Sequence, residues 1–317
     1  MIVVGGGPAG SAAAWELVRN GTDTLVMDRE SFPREKLCAG WITPEVLKDL
    51  EFLPADYPHR FLTFETLRVS LKGIRFPFHS AQHSIRRFEF DHWLLERSGA
   101  PVVRHKVRHI VRTDQGYVLD DEFRCRYLIG AGGTRCPVYR ELFRNSHPRD
   151  RTLQVVTQEL EFPCSAVDGD CHLYFFVRGL PGYSWYVPKA DGYLNVGTGG
   201  VAGKLAGNDI RRHWQGLVSD LKREGLLAAV PGEPGGYSYY LRARRPPPRL
   251  GNAFVVGDAA GLATRDMCEG IGPAVASGLM AARAVLGGED FDLARIPAHT
   301  LARPLARRAL DYAITRR

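Results

Sequence analysis

The segment that most constrains the fold of this chain is residues 2–29, in which a glycine-rich turn separates two short apolar runs. The first run leads into the pattern G-x-G-x-x-G at residues 5–10, and the second ends on Asp28. Small and apolar residues recur at helical spacing between the two runs. This arrangement predicts a strand, a glycine turn, a helix and a second strand with an acid at its tip.

Each glycine of the pattern has its own physical role. The first makes a tight turn, the second lets the backbone approach a pyrophosphate, and the third lets the helix pack on the strand. The helix N-terminus offers N–H groups to phosphates, and the acid is placed to accept hydrogen bonds from a ribose. An ordinary glycine-rich loop is the alternative, but the register of strand, helix and acid favours dinucleotide binding. The residues predicted to bind are Gly5, Gly7, Pro8, Ala9, Gly10, Asp28 and Arg29.

The bulk composition bounds the class of protein. The chain has 317 residues, of which 44% are hydrophobic, and this is enough for one large domain or two closely packed ones. No run of about 18 apolar residues occurs, so we expect no transmembrane helix. The N-terminus enters the glycine turn at once, without a basic region or cleavage site, so we expect no signal peptide. A cytoplasmic location is therefore expected.

Cysteine spacing and charge narrow the choice of partners. The six cysteines show no C-x-x-C pair and no metal-ligand spacing, which predicts a reduced protein without a metal site. The formal charge of +7 leaves open nucleic acid, a membrane or an anionic substrate. The arginines are scattered and no aromatic-interleaved basic motif occurs, so no nucleic-acid partner is expected. Residues 296–317 are patterned as a basic amphipathic helix, which would suit peripheral membrane contact or, as we favour, packing on the domain.

The rest of the chain alternates between the two kinds of periodicity. We predict a hairpin over 61–79, an antiparallel meander over 102–125, strands at 152–162, 172–177, 183–188, 193–197 and 237–241, and helices at 86–97, 209–227 and 270–286. A second buried strand that ends on Gly257-Asp258 repeats the opening pattern. The predicted domains are a discontinuous dinucleotide-binding domain (1–60, 82–150 and 248–290), a substrate domain (61–81 and 151–247) and a C-terminal helix (291–317).

Further motifs accompany this three-piece arrangement. They are Lys36-Leu-Cys38-Ala-Gly40, Arg87-x-x-Phe90-Asp91, Tyr183-Ser-Trp185-Tyr-Val-Pro188 followed by Gly197-Thr-Gly199-Gly200, Gly257-Asp258-Ala-Ala-Gly261, and Glu269-Gly270-Ile271-Gly272-Pro273. Together they resemble FAD-dependent oxidoreductases of the para-hydroxybenzoate hydroxylase fold, and within that fold the geranylgeranyl reductase-like family. The resemblance implies an α/β fold with a Rossmann-like FAD-binding domain of the GR2 type and an inserted antiparallel β-sheet substrate domain.

The resemblance also implies roles for the cofactor-side motifs. Asp258 would contact the ribityl hydroxyls of FAD, with Gly257 allowing the backbone to come close. The backbone N–H groups of Gly270, Ile271 and Gly272 would stabilise negative charge at the N1–C2=O edge of reduced flavin. The other residues that it assigns to the cofactor are Lys36, Arg87 and Gly132.

The resemblance makes the paired aromatic and glycine motifs the wall of a substrate channel. The implied substrate-contact residues are Tyr183, Trp185, Pro188, Gly197, Gly199 and Gly200. A core strand with aromatic packing is the alternative for these positions. Cys38 is a candidate catalytic residue that could shield the flavin, donate a proton or contact substrate, although a lone cysteine is more often buried and inert.

The chain departs from the family pattern at three positions. Val187 replaces a phenylalanine of the aromatic motif, and Ala39 replaces a glycine beside Cys38. Many relatives carry Gly-Ala-Asp-Gly at the end of the meander, where this chain has Gly132 in place of the aspartate. FAD binding is still expected, but direct use of NAD(P)H as reductant is put in doubt.

Three functions stay open at this point. The favoured one is an FAD-dependent oxidoreductase that transfers hydride between flavin N5 and an apolar, isoprenoid-like substrate. The second is a flavin-dependent monooxygenase that hydroxylates an aromatic compound or a peptide side chain. The third is a flavin-binding electron-transfer protein that works with a protein electron donor and has no small-molecule turnover of its own.

Overall fold

The computed structural model describes residues 1–164, 168–205, 209–245 and 249–301. This part of the chain divides into two compact units. Unit 1 contains Met1–Arg34, Phe88–Asp150 and the described residues from Tyr240 onward, and unit 2 contains Glu35–Arg87 and Arg151–Tyr239. Strands and helices are numbered in chain order.

Unit 1 is built on a parallel sheet. Among its described residues, five strands contribute: β1 (Ile2–Val4), β2 (Leu25–Asp28), β6 (Val102–Arg104), β10 (Leu128–Gly130) and β16 (Ala253–Val255). Their order is β16-β10-β1-β2-β6, and every neighbouring pair is parallel. Parallel strands need crossover connections, and the first crossover is helix α1 (Pro8–Arg19). The predicted strand, glycine turn, helix and second strand are confirmed.

The helices of unit 1 pack closely because their sequences are rich in small residues. Helix α5 (Ile271–Val285) lies against α1, and a Cβ added at Gly278 would lie 2.2 Å from the Ala9 carbonyl oxygen. Val3, Ile129 and Phe254 of the sheet are buried in the same apolar cluster as Leu17 of α1. Helix α3 spans Arg87–Arg97, close to its predicted bounds. This packing fixes the N-terminus of α1 at the carboxyl end of β1.

The predicted meander is confirmed in part. Strands β7 (Ile110–Thr113), β8 (Gly116–Leu119) and β9 (Phe123–Cys125) form an antiparallel sheet. Val102–Arg104 lies elsewhere, because it pairs in parallel with β2 and forms the edge of the parallel sheet. The prediction that Val102–Arg104 belongs to the meander is therefore wrong, because this segment pairs with β2 of the parallel sheet.

Unit 2 contains a larger, mostly antiparallel sheet. Its strands within the described residues are β3 (Trp41–Ile42), β4 (Leu62–Leu71), β5 (Ile74–Ser84), β11 (Gln154–Pro163), β12 (Cys171–Phe175), β13 (Gly182–Lys189), β14 (Tyr193–Val201) and β15 (Gly235–Tyr240), with the short helix α2 (Pro44–Asp49). The order is β15-β11-β14-β13-β12-β4-β5-β3. The pair β12/β4 is parallel, whereas β11/β14, β14/β13, β13/β12 and β4/β5 are antiparallel.

One face of this sheet is covered by helix α4 (Asp209–Arg223). Trp214, Leu217 and Leu221 of the helix are buried in one cluster with Tyr186 and Val196 of the sheet. Because side chains alternate across a strand, the neighbouring residues Trp185, Asn195, Gly197 and Glu159 point to the opposite face. The opposite face therefore carries the aromatic and glycine motifs.

The domain boundaries differ from the predicted ones. Residues 35–60 and 82–87 are predicted to belong to the dinucleotide-binding domain but lie in unit 2. Strand β3 pairs with β5, and the Ile85 amide donates to the Gly40 carbonyl oxygen. Residues 240–245 are predicted to belong to the substrate domain but lie in unit 1, where the amide of Arg242 donates to the Ala263 carbonyl at 2.8 Å.

The predicted C-terminal helix is not observed where the chain is described. Residues 296–301 carry no helix, and the rest of that prediction falls on 302–317, outside the described residues. No helix in the described ranges is both long enough and apolar enough to span a bilayer.

Candidate functional site

The opening glycine turn has the geometry that the motif predicts. Gly5 has φ +110°, and a Cβ there would lie 2.4 Å from the Ala131 carbonyl oxygen. A Cβ at Gly10 would lie 1.8 Å from the Gly5 carbonyl oxygen, so α1 can approach β1 only through a glycine. The chain's own packing therefore requires glycine at both positions.

Gly7 is different, because the protein itself leaves room for a side chain there. It is the N-cap of α1, its φ of −76° is ordinary, and an added Cβ would meet only Arg34 Nη2, at 3.4 Å. Pro8 follows at the first helical position, and the first turn of α1 contains no acidic residue. A glycine that the fold does not need, at a helix N-terminus without an acidic cap, fits close approach by a phosphate.

Asp28 lies at the carboxyl end of β2, beside this turn. Its Oδ2 accepts the Gly6 amide at 2.8 Å, and its Oδ1 accepts the Glu30 amide at 2.9 Å. Each carboxylate oxygen has a further lone pair, so the group can also accept from ribose hydroxyls. The following residue, Arg29, is exposed and lies 3.3 Å from the Glu30 carboxylate.

Arg34 is a cation near the turn that the sequence motifs did not single out. Its guanidinium lies 4.8 Å from the centre of the Phe32 ring, and Nη2 lies 3.4 Å from Oδ2 of the fully buried Asp91. This pairing holds a positive charge beside Gly7, where phosphates would bind. The only sequence signal was that the loop after β2 carries several cations.

The second glycine turn follows β16. Gly257 has φ +56°, and its amide donates to Ser277 Oγ of α5 at 2.9 Å. Arg149 stabilises this turn. Its Nη2 donates to the Ala259 carbonyl at 2.7 Å, and its Nη1 donates to the Thr134 carbonyl, after β10, at the same distance. Asp258 is half-buried in the turn, in the position that the family resemblance gives to a cofactor-contacting acid.

The N-terminus of α5 is occupied by a side chain of this chain. The Gly272 amide donates to Glu269 Oε1 at 2.6 Å, and the Ile271 amide also faces that carboxylate. Burial raises the pKa of Glu269 to about 7, although the two amides oppose the shift. Two of the three N–H groups predicted to face reduced flavin, those of Ile271 and Gly272, thus already face the Glu269 carboxyl group.

Gly132 lies where the family resemblance implies an aspartate. It is exposed at the end of the turn after β10, and a Cβ there would meet the Cys136 Cα at 3.2 Å. The backbone at this position is therefore tight against the next turn, and glycine suits that packing.

In unit 2, the paired aromatic and glycine motifs form one packed structure. Trp185 pairs with Gly197 across β13 and β14, and a Cβ at Gly197 would lie 2.2 Å from the indole ring. The ring also extends over Gly199, whose added Cβ would lie 3.6 Å from it. The glycines therefore make space for the indole, which is only 5% exposed. Tyr183 lies beside the indole, with ring centres 5.6 Å apart.

Two further residues of the predicted channel wall support the strands. The Pro188 carbonyl accepts from Ser84 Oγ at 2.7 Å, which ties β13 to β5. A Cβ at Gly200 would lie 3.1 Å from the Pro181 carbonyl oxygen. These positions shape the backbone of the sheet around Trp185.

The segment 36–40 lies against the face that carries Trp185. Asn195 Nδ2 donates to the Cys38 carbonyl at 3.2 Å, and Lys189 Nζ donates to the carbonyls of Ala39 and Ile85. The Gly40 amide donates to Cys38 Sγ at 3.4 Å, so the half-buried thiol is held in a tight turn. Lys36 Nζ lies 3.0 Å from the centre of the Tyr237 ring.

Glu159 is the residue of this face that the motifs missed. It is 2% exposed, pairs with Gly197 in the strand register, and is hydrogen-bonded to the Asn195 side chain. Burial raises its pKa to about 7, and the nearby cations Lys36, Lys189 and Arg87 oppose the shift. In sequence it is one of several alternating residues of a strand, so no local signal marked it.

The predicted site residues thus fall into two groups. Unit 1 brings together the two glycine turns, the α5 N-terminus and their acids, while unit 2 brings together the aromatic motif and Cys38. Lys36 and Arg87 are predicted to bind the cofactor, but they lie in unit 2, near enough to Glu159 to affect its pKa. Their predicted roles, like the other roles assigned by resemblance, stay predictions.

Comparisons with known proteins agree with this geometry. The family profile of the NAD(P)-binding Rossmann-like domain matches residues 3–65. The chain is 30% identical to a menaquinone reductase of Mycolicibacterium smegmatis, over 92% of this chain and 77% of that protein. It is 25% identical to a geranylgeranyl diphosphate reductase of Rhodobacter capsulatus, over 92% of this chain and 77% of that protein. A geranylgeranyl bacteriochlorophyll reductase-like structure from Thermoplasma acidophilum superposes with a TM-score of 0.76 at 19% identity, over 99% of this chain and 82% of that one.

Fold, motifs and relatives define an FAD-dependent oxidoreductase with a Rossmann-like unit and an additional antiparallel sheet unit. The chain belongs to the geranylgeranyl reductase-like family of these flavoproteins. The residues present fit FAD, because Gly7 leaves room for a phosphate at the α1 N-terminus and Asp28 stands at the tip of β2. The predicted fold class and family are confirmed.

Proposed function

We propose that this protein is a reductase that adds hydrogen across a carbon–carbon double bond of an isoprenoid substrate. The observation that carries the proposal is the face of the unit 2 sheet opposite α4, where Trp185 and Tyr183 lie beside glycines of β14. Aromatic side chains beside glycines give an apolar surface with little protrusion, which suits a flexible hydrocarbon chain better than a polar substrate.

The relatives support the same substrate class. Menaquinone and geranylgeranyl diphosphate, named in two of them, differ in their head groups but share an isoprenoid chain. A substrate of this chain is therefore proposed to be recognised by its isoprenoid part, with the head group left open. Because such substrates are lipids, peripheral membrane contact is part of the proposal.

The proposed roles follow from where the residues lie. Unit 1 would hold FAD through the amides at Gly7, the carboxylate of Asp28 and the turn at Asp258. When bound and reduced, FAD supplies the hydride for the double bond. Unit 2 would orient the isoprenoid chain and exclude water with Trp185 and Tyr183, and Cys38 would lie beside that chain. A protein group or water completes the reduction by supplying a proton.

The electron donor is proposed to be NAD(P)H or a reduced electron-transfer protein. Gly132 bears on this choice, because the side chain that many relatives present there is missing. Absorbance of the flavin near ~450 nm during anaerobic addition of NADPH or NADH would distinguish the two. Bleaching by nicotinamide would support NAD(P)H, whereas bleaching by dithionite alone would support a protein donor.

The substrate proposal is tested by product analysis. The FAD-loaded protein is reduced under anaerobic conditions and mixed with menaquinone or geranylgeranyl diphosphate, and the products are analysed by mass spectrometry. The expected result is a product whose isoprenoid chain is heavier by two hydrogens, formed without oxygen and, for menaquinone, still heavier after the quinol ring has been reoxidised. In a parallel reaction with air, a product heavier by one oxygen atom, formed with oxygen uptake, would support the monooxygenase alternative. No product with any of these compounds, together with electron transfer to a protein acceptor, would overturn the proposal in favour of an electron-transfer protein.

A further inference from the structure

The starting observation is a buried carboxyl group without a full set of partners. Glu159 is 2% exposed, and its Oε2 atom has no hydrogen-bond partner among the described residues. A buried carboxyl oxygen that lacks a partner is costly, so its presence calls for a physical reason. None of the family motifs contains this residue.

Asn195 connects Glu159 to two residues of the predicted substrate side. Its Oδ1 accepts from Trp185 Nε1 at 2.7 Å, and its Nδ2 donates to the Cys38 carbonyl at 3.2 Å. An amide nitrogen carries two hydrogens, so Nδ2 can donate to Glu159 as well. One side chain therefore joins the carboxyl group, the indole and the backbone of the Cys38 turn.

Gly197 lets these groups act on one another at close range. It lies between Glu159 and Trp185 in the register of β11, β14 and β13. A Cβ at Gly197 would lie 2.8 Å from Glu159 Cβ and 2.2 Å from the indole. At this position no side chain therefore separates Glu159 from the indole, and Asn195 can reach both groups.

Burial and the neighbouring charges have opposite effects on the pKa of Glu159. Burial raises its pKa to about 7, while Lys36 from the segment before β3, Lys189 from β13 and Arg87 from the start of α3 favour the ionised form. Burial lowers the pKa of Lys189, and Glu161, Cys38, Cys171 and Glu159 oppose that shift. Lys189 Nζ already donates to two carbonyls, so its bonds stabilise the 36–40 segment rather than the carboxylate.

We propose that Glu159 is a positioning residue that, through Asn195, holds the Cys38 turn and the Trp185 indole, and that its change of charge changes access to the Cys38 thiol. The ionised carboxylate accepts the Asn195 amide more strongly and tightens the turn. The tighter turn slows reaction of Cys38 above neutral pH.

This inference deepens the proposed function, since it rests on Cys38 and Trp185 lying on the substrate side. Its test needs neither substrate nor reductant, so it can fail while the proposed reaction stands, and the reverse also holds. The measured quantity is the rate at which iodoacetamide alkylates Cys38 in the FAD-saturated protein, followed by mass spectrometry of the peptide that contains Cys38. The rate is measured between pH 6 and pH 8.

The decisive comparison is between the wild type and Glu159→Gln, which keeps the shape and removes the charge. The two proteins are expected to react at similar rates at pH 6, where Glu159 is neutral. At pH 8 the variant is expected to react at least about threefold faster, because only the wild type carries the charge that tightens the Cys38 turn through Asn195. Glu161→Gln is the matched control, since Glu161 lies two residues along the same strand and pairs with Arg86 at 2.9 Å. It is expected to keep the wild-type pH profile.

Asn195→Ala tests the proposed route. In this background, Glu159→Gln is expected to have no further effect on the pH profile of Cys38. A wild-type profile in Glu159→Gln would overturn the proposal. A profile shift that persists in the Asn195→Ala background would show that the charge acts through space and would also overturn it. Circular dichroism of each variant checks folding, and recovery of the profile in Glu159→Asp distinguishes positioning from a general loss of packing.

Discussion

Single residues at the opening turn show two separate reasons for glycine. At Gly5 and Gly10 the chain's own carbonyl groups occupy the space of a Cβ, so the requirement comes from folding. At Gly7 the nearest atom is the end of a flexible arginine at 3.4 Å, so folding does not require glycine there, and close approach of a phosphate is the predicted reason for it. The two reasons predict different consequences of the same substitution.

Gly10→Ala is expected to destabilise the fold, because the new Cβ would overlap the Gly5 carbonyl oxygen at 1.8 Å. The expected loss in free energy of unfolding is about 3 kcal/mol or more. Gly7→Ala is expected to leave the denaturation midpoint almost unchanged but to weaken FAD binding at least about tenfold, or ~1.4 kcal/mol. Chemical denaturation and flavin fluorescence titration measure the two effects. Equal loss of stability in both variants would contradict the assignment of Gly7 to the ligand.

Glu159 makes a pH-dependent contribution to stability whose sign follows from its raised pKa. The folded protein keeps the proton up to about pH 7, whereas the unfolded chain releases it near the ordinary value of 4.5. This contribution is present below the unfolded pKa and is lost as the pH rises through the folded pKa.

Relative to the wild type, Glu159→Gln is therefore expected to gain stability between pH 4.5 and pH 7, in total on the order of 3 kcal/mol. Urea denaturation of both proteins at several pH values measures the change in their difference. A difference that does not vary with pH would show that Glu159 titrates normally. Glu161→Gln again serves as the control.

Among the elements, helix α5 is the one whose end carries an unexpected group. Glu269 accepts the Gly272 amide at 2.6 Å, and burial raises its pKa to about 7. If flavin lies near this helix end, as the family resemblance implies, the ionised carboxylate disfavours added negative charge on the flavin.

Glu269→Gln is expected to make the flavin reduction potential more positive at pH 8, where the wild-type carboxylate is charged. The difference should shrink toward pH 6, because the wild-type group becomes neutral as the pH falls through about 7. Spectroelectrochemical titration measures the potentials. Glu289→Gln, beyond the other end of α5, is the control and should leave the potential unchanged. The same shift at both pH values would contradict an electrostatic role of Glu269.

Strand β14 is the element that determines where Trp185 lies. Gly197→Ala would place a Cβ 2.2 Å from the indole, so the ring must move and its hydrogen bond to Asn195 should weaken. The expected cost is about 1–3 kcal/mol of unfolding free energy and a change in tryptophan fluorescence. Gly203→Ala is the matched control, because a Cβ there meets nothing within 4 Å. Equal effects of the two substitutions would show that Gly197 is not needed to accommodate the ring.

At the scale of the whole molecule, the sequence predicted what repeats along the chain and missed what only the fold brings together. The glycine turns and the β4–β5 hairpin are encoded locally, so they were found from spacing alone. Residues 102–104 were assigned to the wrong sheet, because an apolar pattern does not specify the strand with which a segment pairs.

Two site residues were missed for the same physical reason. Glu159 and Glu161 lie two residues apart on the same face of one strand and look alike in sequence. Only Glu159 pairs with Gly197, beside the indole. Arg34 is one of several cations in a loop, and its place beside Gly7 depends on the buried Asp91, more than fifty residues further on. Both roles depend on strand register or tertiary pairing, which no local motif encodes.

The most direct test of the account is flavin binding and turnover in one anaerobic experiment. The purified protein is loaded with FAD, reduced with dithionite without excess, and mixed with geranylgeranyl diphosphate, which has no quinone ring to accept electrons, while the absorbance near ~450 nm is followed. We expect that FAD binds, that the band is lost on reduction, and that it returns when the isoprenoid diphosphate is added without oxygen. If no flavin band is retained after loading, the assignment as an FAD-dependent oxidoreductase is contradicted.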